Sequence, residues 1–506
     1  MAEIVLTADK TLMSNYHGGE FLGFAACAPA AIPEYIYEKL FCPPAPVDDD
    51  GISAKFAPCG LRRIEAALLE NGFSRDEIVV VRPDMLDRAV DERTKVLGVS
   101  TNDPLGLGPA SSTFSNLAGK EPFNAISFRR LMRNPVIRKH QLKVIVGGPG
   151  AWQLEDERIR MKFDIDCVLV GEGELVAPEL FKKAVSGEEL PRFVHGEVVP
   201  LEKFPKIKGA TVNGLVEIAR GCGRGCKFCN PTMLKFRCLP LEHILEEVRL
   251  NLRKVGRVLL HAEDVLRYKA NGVIPNEQAV IELFEAVKRL YIEENRPLDI
   301  GISHFALASV VAKPALVREL SEVMEVGTRE NPWASGQTGI ETASERLVEM
   351  HMQGKVRPFK PEEWREVVLE AHEILKENHW VPCSTLVMGL PKEGAKDVLK
   401  TIELVEDLRA YKSLIVPLFF VPIGNLTDQS FFTMKKMLPE HWMLFAACLK
   451  HDFKWVYTLI DEYFRMTRLA TPKVAAIKFF TKYMERKLKP YIKDMEQGLN
   501  PLDSLK

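Results

Sequence analysis

The sequence predicts an α/β chain with a doubly wound first domain, a second βα region and an all-helical end. Three observations predict it. Short buried-type strands alternate with amphipathic helices from Ile4 to about Gly424, a periodicity that builds parallel sheets covered on both faces. Glycine-bearing loops follow several of these strands, at the end where open α/β sheets bind ligands. After about Gln429 no strand pattern remains and long amphipathic runs take over. The boundaries implied are 1–204, 205–428 and 429–506.

In order, Ile4 to Thr7 reads as the first strand, followed by a long irregular stretch containing His17 and a Pro/Asp-rich segment from Cys42 to Asp50. Gly60 to Asn71 carries an apolar stripe and stops at Gly72, as a helix does. Ile78 to Val81 and Val96 to Ser100 are short buried-type strands, Val144 to Gly147 is another, and Asp166 to Val170 precedes a helix. Three loops stand at strand ends: Ser100-Thr101-Asn102-Asp103, Gly147-Gly148-Pro149-Gly150 and Gly171-Glu172-Gly173-Glu174. Glycine there lets a flat ligand approach the backbone, although strand-to-helix turns also carry glycine for purely structural reasons.

The chemistry is concentrated at Arg220-Gly-Cys-Gly-Arg-Gly-Cys-Lys-Phe-Cys-Asn230, after the strand-like run Leu215 to Ala219. Cys222, Cys226 and Cys229 stand in a C-x3-C-x2-C spacing on a loop too glycine-rich to be helix or core. Thiolates so placed can wrap one corner of an iron–sulfur cubane and leave its fourth iron open. The spacing also admits zinc, with Cys238 as the fourth ligand.

At these residues the sequence resembles the radical S-adenosylmethionine (SAM) superfamily, whose signature is this triad with an aromatic residue, here Phe228, before the last cysteine. The resemblance implies a [4Fe-4S] cluster held by Cys222, Cys226 and Cys229, SAM chelated at the open iron, and an external electron donor that reduces the cluster to cleave SAM to a 5′-deoxyadenosyl radical. Downstream pieces follow in the family's order. The helix Leu241 to Val255 leads to the strand Arg257 to Asp264, and Asp299 to Ser303 forms a third strand. Gly336-Gln-Thr-Gly-Ile-Glu-Thr-Ala-Ser344 resembles the family's G-I-E stretch, Ser384 to Pro391 ends in G-L-P, and Pro417 to Asn425 matches the last strand and its turn. These imply a partial (β/α)6 barrel and SAM contacts from Phe228, Glu263, Asp264, Ser303, Glu341 and Gly389. A solvated strand end remains the alternative for Glu263 and Asp264, and a structural carboxylate for Glu341.

The order of motifs ahead of the cysteines resembles the Rossmann-like cobalamin-binding domain of class B-type radical SAM methyltransferases. It implies cobalamin contacts from Ser100, Thr101, Asn102, Asp103, Gly147, Gly148, Pro149, Gly171, Glu172, Gly173 and Glu174. The D-x-H-x-x-G element that supplies a cobalt-binding histidine elsewhere is absent, and His17 reads as a loop residue.

Composition bounds the partners. The chain has 506 residues, 46% hydrophobic and 27% charged, with a net charge of −1, so no global attraction to nucleic acid is expected. Ten cysteines in this length do not make a disulfide framework. No run approaches a spanning helix and no signal-peptide pattern opens the chain, so a cytoplasmic protein with no integral membrane segment is expected. The C-terminal helices, rich in Lys on one side and aromatics on the other, read as packing on their own barrel or as a lid or basic surface. The resemblance implies methylation of an unactivated carbon, one SAM methylating cobalamin and a second supplying the radical. Archaeal members suggest a protein substrate, a glutamine of the methyl-coenzyme M reductase alpha subunit. A radical enzyme of archaeal membrane lipids and a non-catalytic cobalamin or cluster sensor are the alternatives.

Overall fold

Ile4–Ala8 (β1) and Val96–Ser100 (β3) are buried at every position, as strands covered on both faces are. They pair in parallel from Ile4 beside Val96 to Ala8 beside Ser100. Ile78–Val80 (β2) joins the far side of β1. Lys143–Gly147 (β4), Cys167–Val170 (β5) and Phe193–His195 (β6) extend the sheet from β3. The order is β2-β1-β3-β4-β5-β6. Its direction of winding reverses between β1 and β3, so carboxyl-end loops frame a crevice there. The expected doubly wound sheet is present, with one strand more than the sequence pattern discloses: β6 is short and half-exposed, so it lacks an apolar run.

The structure, a computed structural model, describes residues 2–19, 21–230, 235–467 and 471–503. The sheet's two faces are sorted by alternation. Val5, Leu97, Val99, Val144 and Val146 pack with Phe128 and Leu131 of Phe123–Met132 (α2). Ile4, Leu6, Val96 and Ile145 pack with Leu61 and Leu68 of Cys59–Glu70 (α1) and with Leu180 and Phe181 of Ala177–Ser186 (α3).

The chain divides into two compact units, Met1–Val216 with Glu242–Val258, and Glu217–Leu241 with Leu259–Lys506. Most of the helix after the cysteine loop, Leu241–Lys254 (α4), therefore belongs to the first unit. Its buried polar residues His243, Glu247 and Asn251 recur every fourth position, on one face. Glu247 accepts from Arg63 Nη2 at 2.8 Å and faces His243 Nε2 at 2.8 Å, while Asn251 Oδ1 accepts from the Thr211 amide at 2.9 Å.

The barrel strands are Leu215–Glu217 (β7), Val258–His261 (β10), Ile300–Ile302 (β11), Ala334–Glu341 (β12), Trp380–Met388 (β13) and Leu414–Phe419 (β14). One sheet runs β11-β10-β7 and another β12-β13-β14. A parallel bridge between His304 and Gln337 joins them, with Gln337 N donating to Ser303 O at 2.8 Å and Phe305 N to Gln337 O at 3.0 Å. Six strands thus follow one another in chain order, the partial (β/α)6 arrangement expected. An open barrel leaves an edge at β14, and an unpaired edge invites mispairing. Pro439–Thr467 (α5) covers it: Asp452 Oδ1 accepts from Ile415 N at 2.8 Å, and His451 Nε2 lies 2.9 Å from Ser413 Oγ. Trp442 and Phe445 of α5 are buried, so these aromatics are core. Thr471–Glu496 (α6) packs back on α5 through Tyr457–Glu485 and Lys478–Asp461 contacts.

Candidate active site

The cysteine loop has a neck that the sequence pattern did not disclose. Ala219–Arg220 (β8) pairs antiparallel with Arg237–Cys238 (β9), closing the loop at its base. Gly221, Gly223 and Gly225 take φ of 78°, 69° and 72°, which a Cβ-bearing residue adopts only under strain. Two distant segments clamp the loop's backbone. Lys227 N donates to His351 O and Asn425 N donates to Lys227 O, both at 2.9 Å. The approach is so close that a Cβ on Gly354 would lie 1.8 Å from Arg224 O, and one on Gly424 would lie 2.1 Å from Cys229 O.

Charged side chains complete the hold. Arg224 is buried and sends Nη2 to Asp264 Oδ2 at 2.9 Å and to Ser309 Oγ at 3.0 Å, and Nη1 to Lys355 O at 2.9 Å. Arg267 donates to Cys222 O at 2.8 Å and its guanidinium lies 4.6 Å from the Phe236 ring. Lys355 Nζ meets Glu341 Oε1 at 2.5 Å, and Thr385 Oγ1 donates to Glu341 Oε2 at 3.1 Å.

Burial raises all three thiols above the ordinary range, and for Cys229, pushed up to about 12, the Glu263 carboxylate and the other two cysteines add to it. Lys355 acts the other way on Cys226 and Cys229, and Arg224 on Cys222 and Cys226. Three thiols that repel one another when ionised, ringed by fixed cations, are suited to a polynuclear metal centre whose charge makes thiolates stable. The donor set fits three of the four irons of an iron–sulfur cubane. Cys238, the fourth ligand that the zinc alternative would need, lies on β9 in the neck of the loop, and its sulfur accepts from Lys269 N at 3.1 Å. Among the described residues no three His, Cys, Asp or Glu side chains converge as a single-ion site.

The other residues expected at SAM separate into two kinds. Asp264 is buried and taken up by Arg224, by Ser309 Oγ at 2.7 Å and by Ala306 N at 3.2 Å. Its neighbour Glu263 is half-buried, and its charge acts on both Cys229 and His304. Phe228 is half-buried within the loop. Ser303 Oγ lies 2.9 Å from His261 Nδ1, and the His261 and His304 rings meet edge-on at 5.8 Å. Burial holds the His304 imidazole down to about 4, with His261 lowering it further against the opposing pull of Glu263. Gly389 has φ 81° and would place a Cβ 2.0 Å from the Phe432 ring. Its amide donates to Glu393 Oε2, which also faces His441 Nε2 of α5 at 2.8 Å. Because Leu438 N donates to His441 Nδ1, the proton of a neutral ring sits on Nε2. Arg224, Arg267, Lys355, His261 and His304 are the groups at this site to which sequence reasoning assigned no role. Arg224 lay inside the motif and could have been flagged as a buried cation; Lys355 lies outside every motif.

In the first unit the three predicted loops sit at the carboxyl ends of β3, β4 and β5. Thr101 N and Oγ1 both donate to Gly147 O, at 2.8 and 3.0 Å, and Gly150 N donates to Thr101 O at 3.1 Å. Gly148 and Gly150 press on this turn, where added Cβ atoms would lie 2.5 Å from Thr101 O and 2.3 Å from Asn102 O. Asp103 turns inward and accepts from Gly108 N at 2.9 Å, Asn124 Nδ2 at 3.0 Å and Gln153 Nε2 at 2.7 Å. Glu172 accepts from Val199 N at 3.0 Å, and Ser100, Gly173 and Glu174 are also buried. What remains outward is a low rim: Asn102 and Pro149 exposed, Gly147, Gly148 and Gly171 half-buried. A rim cleared of long side chains fits a broad flat ring such as a corrin. His17 Nε2 is engaged with Leu40 O at 3.2 Å.

Comparison with known proteins agrees with this geometry. The model of the Radical SAM superfamily matches residues 216–405. An uncharacterized protein of Methanocaldococcus jannaschii is 24% identical over 346 residues, 58% of this chain and 65% of that protein. The tRNA-2-methylthio-N(6)-dimethylallyladenosine synthase of Thermotoga petrophila is 24% identical over 276 residues, 53% of this chain and 57% of that enzyme. The chain thus spans well under two thirds of the synthase and just under that of the archaeal protein. Among solved structures, the radical S-adenosylmethionine methyltransferase TsrM from Kitasatospora setae, with cobalamin and a [4Fe-4S] cluster bound, aligns with TM-score 0.54 and 13% identity, covering 84% of this chain and 74% of that one. The same enzyme with tryptophan substrate and a SAM analogue aligns with TM-score 0.55. Residues 216–405 of this chain thus carry the likeness to the Radical SAM superfamily, within a mixed α/β fold similar to that of the radical SAM methyltransferase.

Proposed function

We propose that this protein is a cobalamin-dependent radical SAM methyltransferase that methylates an unactivated sp3 carbon, with functional regions at 1–204, 205–428 and 429–506. When bound, the [4Fe-4S] cluster and SAM supply a carbon-centred radical and cobalamin supplies a transferable methyl group. The observation that carries this reading is the cysteine loop, with three half-buried thiols locked by Arg224, Arg267 and two backbone clamps.

Each residue then has a defined task. Cys222, Cys226 and Cys229 hold three corners of the cluster. Glu263, beside Cys229 and without Asp264's buried partners, accepts hydrogen bonds from the SAM ammonium. Lys355 and Glu341 place opposite charges beside the thiols, where they orient the zwitterionic end of SAM. Phe228, Ser303 and Gly389 shape the SAM pocket, and Gly389 leaves room for Phe432 to close it from one side. Asn102, Pro149 and the half-buried glycines form the cobalamin rim, with Ser100, Thr101, Asp103, Glu172, Gly173 and Glu174 supporting it from below.

The substrate proposed is a protein carbon, the glutamine Cα of the methyl-coenzyme M reductase alpha subunit, with an external donor reducing the cluster. A second reading, a membrane-lipid substrate, is favoured by the exposed basic and aromatic face of α6. Protein reconstituted anaerobically with iron and sulfide should form 5′-deoxyadenosine from SAM and a strong reductant. With hydroxocobalamin reduced in place and SAM bearing a deuterated methyl group, the substrate peptide should gain a labelled methyl. Absence of 5′-deoxyadenosine would overturn the enzyme reading in favour of a sensor; label in a lipid extract rather than the peptide would transfer it to the second substrate.

A further inference from the structure

Helix α6 presents two unlike faces. Inward, Ile477 and Met495 are buried, Glu485 receives the Tyr457 hydroxyl and Lys478 meets Asp461. Outward, Phe479 is 75% exposed and Tyr483, one turn on, is 48% exposed. Residues 482, 486, 489 and 493 continue the same side at helical spacing, and they are Lys482, Arg486, Lys489 and Lys493, all exposed. The charges of α6 are sorted by face. Among the described residues its one exposed acid, Glu496, is tied to Lys450 at 2.5 Å, whereas Glu485 and Asp494 are half-buried. The net charge of the chain is −1, so this concentration of cations is local.

We propose that the outward face of α6 docks the protein on an anionic phospholipid bilayer. A helix lies in a bilayer interface when aromatic rings enter the headgroup boundary and Lys or Arg beside them meet lipid phosphates. Phe479 and Tyr483 supply the rings, and long cationic side chains on either side can lower their apolar stems while keeping the charge at the phosphates. Lys487 Nζ already lies 5.8 Å from the Tyr483 ring centroid, placing cation and ring together as a lipid headgroup would meet them. Over the turns from Pro472 to Lys493 the face is about 33 Å long, a line of contact that suits a planar surface. An acidic protein would also attract the cations, but it gives no reason for a phenyl ring to stand out so far between them. The proposal is independent of the reaction assigned to the barrel.

The test uses the full chain in sedimentation with large unilamellar vesicles, either pure phosphatidylcholine or equal parts phosphatidylcholine and phosphatidylglycerol. Binding is expected to the anionic vesicles only, with release at molar salt. The triple variant K482E/R486E/K489E should lose about 100-fold or more in partitioning, and Phe479→Ser about 10-fold at low salt. These positions are exposed, so circular dichroism and 5′-deoxyadenosine formation without vesicles should stay at wild-type levels, separating this result from any failure of the catalytic reading. No binding to anionic vesicles, or binding that the triple variant retains, would overturn the proposal. Retention on soluble polyglutamate without vesicle binding would overturn it in favour of an acidic protein partner.

Discussion

The cysteine loop of the second unit, closed by an antiparallel neck, and the glycine rim of the first, at the ends of parallel strands, are built from opposite materials. Arg224, Arg267 and Lys355 surround the cysteine loop, and Arg224 is matched by the buried Asp264. The rim is held by backbone amides, the Thr101 hydroxyl and an Asp103 carboxylate whose donors are neutral. On the proposed function, the difference follows ligand charge: thiolates and a zwitterion in a half-buried loop would need fixed positive charge close by, whereas a broad flat ring would need area and a backbone free of side chains.

The largest effect is expected where the comparison is sharpest. Cys226→Ala should drop iron and sulfide from about four each per chain to near zero and abolish 5′-deoxyadenosine; a variant that kept its cluster would mean that Cys226 is not a cluster ligand. Next comes the lock. Arg224→Met strands the buried Asp264 carboxylate, a loss of about 3–5 kcal/mol, whereas Asn102→Ala on the rim should shift stability by less than about 0.5 kcal/mol. Equal shifts in urea unfolding would erase the distinction between a charged and an uncharged loop.

Glu263→Gln separates the neighbouring carboxylates. It should weaken SAM binding about tenfold, or about 1.4 kcal/mol by calorimetry, at unchanged iron content and thermal stability. If it instead behaves like Arg224→Met, Glu263 is structural. The smallest effect is in pH dependence. Burial holds His372 and His451 down to about 4 from 6.5, so between those values the unfolded chain binds protons that the folded one does not. Their contribution is complete above pH 6.5 and is lost as pH falls toward 4, by up to about 1.4 kcal/mol per pH unit for each. Asp452, raised by burial, works in the opposite sense. The stability difference between wild type and His372→Gln should therefore fall as pH is lowered through this window, and a flat difference would mean that His372 carries no such load.

How legible the site was depended on where its residues stood. The triad and Phe228 were legible as a cluster because they lie within one short loop. Glu263 and Asp264 were found as a pair, but their division of labour came from Arg224 and Ser309, the latter 45 residues from Asp264. Lys355 lay in a stretch with no pattern and reached the thiols only through folding. Strand β6 was missed because it is half-exposed and lacks an apolar run, and the β8–β9 neck because its strands are only two residues long.

By itself, the sequence determined the alternation of strands and helices, the parallel sheets it entails, the position of the cysteine loop and the helical end. All of these are written in local spacing, which a few neighbouring residues suffice to specify. The tertiary structure decided which carboxylate is consumed by an ion pair, which cations face the thiols, how α5 closes the barrel's open edge and which face of α6 is left bare. These depend on contacts between residues tens to hundreds of positions apart, and burial, which sets the cost of every unpaired charge, exists only once those contacts have formed.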